Sequence, residues 1–450
     1  MNVRLSLHGL RILVGAAFCA LLMAGAATRL RAQQQKAISS FERQRVENML
    51  GQIHLELKKN YYDPTFHGVD VDERYQSFLE RLKQVPTLGE AYRLIAAYLS
   101  GLNDSHTFFS PPRRSYRFDY GYRMAMFGDQ CLITDVRPGS DAEKKLQPGD
   151  QVVTLGKFAV NRKDLWQLEY YLNQLAPVPA TDFTLRDPAG KERSVQIATK
   201  YKTGEHLKDL TVEGGYRGIW EMVLEEEQQM RLLRHRAFES GDVMIWKLPI
   251  FIDDEGALGG MLDKARKHKT LVLDLRDNPG GQVEALKFLL GGLFDHDVKI
   301  GKTVMRKEQK DLVAKSHGRE VFTGQLFVLV DSRSASAAEI LARVVQLEHR
   351  GTVVGDLSSG SVMESIFYPF QEGADFAIFF GASITHADLI MMDGKSLEKV
   401  GVTPDVIVLP TAADLAAGRD PALAKAAELA GIKLDPVAAG KMFPFEWAPF

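Results

Sequence analysis

The sequence predicts a multidomain α+β chain: an N-terminal helical region, a small β module, and an α/β core built on a mixed, mostly parallel sheet. Three observations predict it. Apolar residues follow helical spacing up to about residue 112, short strands broken by turns fill 115–200, and strands alternate with helices from about 205 onward. A chain of 450 residues exceeds what one compact core holds.

Residues 1–32 read as a signal peptide. Arg4 and Arg11 supply a positive start, 12–27 is apolar and uncharged, and small residues follow at Ala24, Ala26, Ala27 and Ala32. An apolar run of about 16 residues is short for a spanning helix, so cleavage and export, to the periplasm or beyond, are expected, with an uncleaved anchor as the alternative. Cys19 lies inside that run behind Phe18, a poor lipidation site. Once the signal is removed Cys131 stands alone, so no intramolecular disulfide is expected and Cys131 reads as a buried structural thiol. The formal net charge of −2 offers no overall basic field for nucleic acid or an anionic membrane.

Within 36–112, Phe41, Val46, Met49, Leu50 and Ile53 keep helical spacing, and Tyr61-Tyr62-Asp63-Pro64 breaks it because a residue before proline avoids the helical region. Helices follow at 71–82 and 88–102, and Pro111-Pro112 closes the unit. Over 115–200, strands at 131–136, 151–155, 183–185 and 194–197 surround a helical stretch at 163–175. Pro138-Gly139-Ser140 and Pro148-Gly149-Asp150 mark turns. In the core, 205–410, strands at 243–247, 271–275 and 326–330 alternate with helices at 255–268, 282–294 and 335–347. Leu271-Val272-Leu273-Asp274-Leu275 is nearly all apolar, as a strand covered on both faces should be. The tail, 411–450, is Ala-rich, ends in prolines and aromatics, and receives no assignment.

Two segments carry candidate chemistry. Leu275-Arg276-Asp277-Asn278-Pro279-Gly280-Gly281 runs from a buried strand into a helix. Its glycines permit a sharp turn, and the helix start offers unpaired N–H groups, as an oxyanion or anion site requires; a plain strand-to-helix turn is the alternative. Asp331-Ser332-Arg333-Ser334-Ala335-Ser336-Ala337-Ala338-Glu339 also leaves a buried strand and opens a helix. It places Ser336 at the sheet rim where α/β proteins bind ligands, although Ser336 with Glu339 also reads as a capping box.

Together the two segments resemble the catalytic core of the tail-specific (C-terminal processing) and tricorn-core serine peptidases, in which an Asn-Pro-Gly-Gly turn precedes a Ser-Ala-Ser-Ala-x-Glu segment. The resemblance spans about 40 to 405 in order. It takes in Tyr61-Tyr62-Asp63-Pro64, Gly101-Leu102-Asn103-Asp104-Ser105-His106-Thr107, and Gly394-Lys395-Ser396-Leu397-Glu398-Lys399-Val400-Gly401-Val402-Thr403-Pro404-Asp405. It implies that Ser336 is the nucleophile, that Gly280, Gly281 and Ala337 hold the oxyanion, and that 115–200 is a PDZ-like domain whose peptide loop is Tyr120, Gly121 and Tyr122. Asp119 departs from the family loop at its first position and would repel a C-terminal carboxylate, so the module either recruits C-termini or gates the site.

One further departure sets the expected base. Where the processing branch carries a lysine, this chain has Ser361, and Ser365 stands where a glutamine should be. The tricorn-core branch uses a histidine preceded by a serine, and a late glutamate; Ser105, His106 and Glu398 occupy those places. The expectation is therefore an exported serine endopeptidase acting on unfolded or C-terminally exposed polypeptides, closer to the histidine-using branch. A non-catalytic peptide- or ligand-binding scaffold on the same fold is the alternative. No metal or cofactor is implied, since neither His-Glu-x-x-His nor paired-cysteine spacing occurs. Homo-oligomerisation is left open.

Overall fold

A computed structural model describes residues 37–114, 116–203, 233–252, 254–373, 378–448 and 450. The expected signal segment and the first part of the expected core, 205–232, lie outside the described residues.

Helix Ser40–Asn60 starts where Ser39 and Glu42 cap one another reciprocally, and it buries Val46, Met49, Leu50, Ile53 and Leu57 along one face. Helices Val71–Leu82 and Leu88–Ser100 pack on it, capped by Asp70 and Thr87. The region expected to be helical then ends in a strand, β1 (Phe108–Ser110).

The next unit pairs β2 (Tyr116–Asp119) with β9 (Lys200–Thr203) at its base. Between them lies an antiparallel sheet of β3 (Tyr122–Phe127), β4 (Gln130–Val136), β5 (Gln151–Leu155), β6 (Phe158–Ala159), β7 (Ala180–Arg186) and β8 (Glu192–Ala198). The expected helical stretch at 163–175 is a short helix, Leu165–Tyr170, followed by a wider π turn, Tyr171–Leu175. Cys131 is buried in this module's core, and burial pushes its thiol up to about 12, as befits an unreactive thiol.

The core sheet runs in the order β10 (Arg236–Ser240), β11 (Val243–Lys247), β12 (Thr270–Asp274), β15 (Gln325–Val330), β16 (Thr352–Gly355) and β19 (Val406–Ile407). Only β10 is antiparallel; the other pairings are parallel. Alternation along its strands serves two buried faces. Leu271, Leu273 and Val328 meet helices Glu255–Ala265, Val283–Gly291 and Ala337–Leu347, while Val272, Leu329 and Val354 meet helix Pro421–Leu429. The unassigned tail is thus the cover of the sheet's second face.

A second sheet had no counterpart in the sequence reading. The hairpin β13 (Val298–Met305) and β14 (Gln309–Ala314) joins the hairpin β17 (Met363–Glu372) and β18 (Ile378–Met391), and β1 adds antiparallel to β18 with Phe108 opposite Ser383. This pairing returns the segment before the module to the core.

Candidate active site

Ser336 sits at the turn between β15 and the helix starting at Ala337, with φ 53° and ψ −118°. A side chain other than glycine rarely adopts that conformation, and it persists only where neighbours hold it. They do so here: Ala335 N–H donates to Asn278 O (2.9 Å), Ser334 Oγ donates to Leu275 O (2.8 Å), and Ser336 N–H donates to Ser361 O (2.9 Å) and Glu339 Oε2 (3.0 Å). The two sequence segments are therefore bonded to each other at one sheet rim.

Gly280 fits against this turn without room for a side chain. A Cβ there, at φ +93°, would stand 2.6 Å from Ser336 Cβ and 2.9 Å from Ala337 N. The three expected oxyanion donors differ. Gly280 N–H is engaged by Asn278 Oδ1 at 2.8 Å, while the N–H groups of Gly281 and Ala337 have no hydrogen-bond partner among the described residues.

Glu339 is the residue whose part in the site the sequence reading missed beyond its role as a cap. Fully buried, it accepts from Ser336 N–H, from Ser361 N–H (2.9 Å), from Gly360 N–H (2.7 Å) and from Ser358 Oγ (2.6 Å), stapling the 358–361 loop to the turn. Burial nevertheless raises its pKa to about 7 against those four donors. The conjunction of an acidic residue with the start of a helix was its only sequence signal. Ser361, standing where a lysine was sought, contributes backbone: its carbonyl receives Ser336 N–H. Ser365 Oγ accepts from Ser383 Oγ at 2.9 Å within the second sheet.

Ser105, His106 and Glu398 come together beside this turn. Ser105 N–H donates to Glu398 Oε1 (2.8 Å), Ser105 Oγ donates to Glu398 Oε2 (2.8 Å), and Ser105 Oγ meets His106 Nδ1 at 2.7 Å. Val362 N–H, next to Ser361, donates to Glu398 Oε2 at 3.0 Å and so connects the group to the Ser336 loop. A hydroxyl has one proton; with that proton on Glu398, the Ser105 oxygen accepts from His106 Nδ1–H, which leaves the Nε2 lone pair free. Among the described residues no hydrogen bond joins His106 Nε2 to Ser336 Oγ. Burial holds the His106 pKa below its usual value, against an upward pull from Asp104 and with a further downward push from Lys399. Burial raises the Glu398 pKa, against the hydrogen bonds from Val362 and Ser105.

The His106 loop is fixed from beneath. Buried Asp104 accepts from His106 N–H (3.0 Å), Thr107 N–H (2.6 Å), Tyr61 Oη (2.8 Å) and Thr385 Oγ1 (2.8 Å). Tyr61 belongs to the break in the first helical region and Thr385 to β18, so both elements hold the backbone at His106 through Asp104.

The 116–203 module rests on the same rim. Ser332 Oγ donates to Met126 O (2.7 Å), and Arg333 Nη2 donates to Met124 O and Glu169 Oε1 (both 2.6 Å). A cleft of about 220 Å³ between β3 and helix Leu165–Tyr170 is lined by Tyr122, Glu169, Leu172 and Arg333 among others. In the loop before β3, Tyr120 points inward, its hydroxyl donating to Leu172 O at 3.0 Å, and Gly121 turns with φ +76°. Asp119, expected to repel a carboxylate, is instead paired with Arg137 Nε at 2.6 Å and accepts from Gly121 N–H, so its charge is largely offset.

The chain is 24% identical over 385 residues to a tail-specific protease of Haemophilus influenzae, covering 80% of this chain and 51% of that one. It is 24% identical over 381 residues to a chloroplastic C-terminal processing peptidase of Tetradesmus obliquus, covering 78% and 75%. The chain thus spans about half the length of the Haemophilus relative. The solved structure of mature CPAF superposes with a TM-score of 0.62 at 16% identity, over 84% of this chain and 95% of that one, a likeness of fold. Residues 243–408, which run from β11 to β19 and carry Gly280, Ser336 and Glu398, match the model of peptidase family S41.

Proposed function

We propose that this chain is an exported serine endopeptidase that cleaves unfolded or C-terminally exposed polypeptides, with Ser336 as nucleophile and His106 as base. The observation that carries the reading is the hydrogen-bonded series Glu398–Ser105–His106, whose Glu398 is bonded through Val362 N–H to the loop that receives N–H of Ser336, a serine held in a strained turn. Glu398 and Ser105 fix the tautomer; burial keeps the imidazole neutral near neutral pH. On substrate entry the His106 ring and Ser336 Oγ close to hydrogen-bond distance, as catalytic pairs that are loose in the free enzyme do.

Ser336 Oγ attacks the peptide carbonyl carbon while its proton passes to His106 Nε2. The carbonyl oxygen becomes an oxyanion facing the N–H groups of Gly281 and Ala337, with Gly280 shaping the turn. Collapse breaks the C–N bond, and the amine leaves with the proton from His106. Water then loses a proton to His106, attacks the acyl ester and restores Ser336. The module at 116–203 acts as a PDZ-like domain whose peptide loop is Tyr120, Gly121 and Tyr122; because Arg333 and Ser332 already bond the β3 carbonyls of Met124 and Met126, a peptide strand adds at the Tyr122 end of β3. Export follows from residues 1–32. Among the described residues no helix is long and apolar enough to cross a membrane.

Labelling with a fluorophosphonate probe, followed by peptide mapping, tests the reading. Modification of Ser336 in wild type and none in His106→Ala is expected. No labelling under conditions where the protein is folded would favour the non-catalytic scaffold. Gly280→Ala offers a second check. The added Cβ collides with Ser336 Cβ and the oxyanion turn, and a misplacement near 1 Å costs about 10²-fold in rate. Wild-type turnover by this variant would remove Gly280 from the site.

A further inference from the structure

We propose that Arg123 and Arg137 of the 116–203 module form a docking surface for an extended, aromatic-containing polypeptide segment, and that the chain's own residues after Met442 occupy it as a built-in competitor. The segment leaves helix Pro436–Gly440 and crosses from the core to the module. Arg236 Nη1 donates to Pro444 O at 3.0 Å, and its guanidinium lies 5.6 Å from the Phe443 ring, tying the start of the segment to β10. Phe445 then lies under the Arg123 guanidinium at 3.8 Å and Trp447 under that of Arg137 at 4.7 Å, while Arg137 Nη2 donates to Ala448 O at 2.8 Å. Lys200 Nζ stands 5.5 Å from the Phe450 ring. A cation over an aromatic face is a weak but directional attraction, and here it recurs at alternate residues from Phe443 to Trp447 of a backbone that Pro444 keeps out of a helix.

The arginines are held ready for this. Arg123 is paired with Asp135 (3.3 Å) and Asp277 (2.6 Å), and Arg137 with Asp119 (2.6 Å), so each planar guanidinium is fixed at its edge and presents its face. Asp119 opens the Tyr120-Gly121-Tyr122 loop, and Asp277 stands three residues before Gly280. A segment lying on these two arginines is therefore one ion pair away from the peptide loop and one from the oxyanion turn. The contact is also superficial: Phe445 stays 39% exposed. An unfolded chain displays the same chemistry, aromatic side chains on an extended backbone, and can replace the segment. That this competition governs substrate entry rests on the peptidase reading; the docking itself does not.

The test separates the two. A fluorescein-labelled peptide with the sequence of residues 443–450 is titrated by anisotropy into Ser336→Ala protein, either as the full chain or ended after Met442. A tethered occupant acts at millimolar effective concentration, so the full chain is expected to bind the peptide about tenfold more weakly than the shortened one. Arg137→Ala in the shortened chain should abolish the gain. Should shortening impair folding by circular dichroism, the full-length Phe445→Ala/Trp447→Ala protein carries the same comparison. Equal affinity for full and released forms, or no binding to either, overturns the proposal. With Ser336 intact, release should lower KM for an aromatic-rich disordered peptide and leave kcat unchanged. Peptide binding gained on release with no turnover in any variant upholds the docking surface and overturns only the peptidase reading.

Discussion

Replacing Ser336 by alanine is expected to lower turnover of an unfolded polypeptide by about 10⁴-fold or more, the scale on which loss of an acyl-transfer nucleophile registers. Alanine retains the Cβ, so the turn at φ 53° is no less strained and the urea midpoint should stay near that of wild type. Ser336→Gly gives a useful contrast. It removes the hydroxyl and the Cβ together, and glycine accepts a positive φ at little cost. The glycine variant should be equally inactive yet more stable, by about 1 kcal/mol, the lower end of what such backbone strain stores. Activity surviving in either variant would assign the nucleophile elsewhere. Equal stability of the two variants would mean that the turn is not strained.

The second large effect concerns His106. Its alanine variant should lose about 10²–10⁴-fold in kcat, the usual contribution of a positioned general base. The pH profile has a defined sign. Only neutral imidazole accepts the Ser336 proton, so kcat/KM rises as pH rises through the His106 pKa. Burial lowers that pKa, which places the ascending midpoint below the ordinary histidine value of about 6.5. A rise seen only above about pH 9 would point to a lysine.

Much of the fold was legible where local chemistry decided it. Helix Val71–Leu82 and strand Gln151–Leu155 appear at the predicted bounds, the first because Asp70 caps it, the second because Pro148-Gly149-Asp150 turns the chain just before it. The second sheet was not legible, for two reasons. β13 bulges between Lys299 and Gly301, which breaks its alternation, and β18 buries Ser383 and Thr385, residue types that are mostly exposed. Those side chains are buried because Asp104, Thr107 and Ser365 satisfy them, partners hundreds or tens of positions away in sequence. The site divides the same way. The turns at Gly280-Gly281 and at Ser336 were readable because each follows a buried apolar strand and opens a helix. Asp104 and Glu339 as supports were not, because their partners come from separate segments. Asp119 read as a bare repulsive charge because nothing local announces Arg137.

The two sheets carry different halves of the proposed machinery. Ser336 and the oxyanion turn ride on the parallel core sheet, after β15 and β12; His106 precedes β1, and Glu398 follows β18, both strands of the other sheet. The proposed nucleophile and base therefore lie on different sheets rather than within one rigid layer, and the bonds from Ser336 N–H to Ser361 O and from Val362 N–H to Glu398 link the two sides. A small shift of one layer against the other would keep the proposed pair from closing with every strand still formed. Loss of activity and loss of structure are thus separable events in this architecture. Denaturant titrations followed in parallel by turnover and by circular dichroism should resolve two transitions, the catalytic one first.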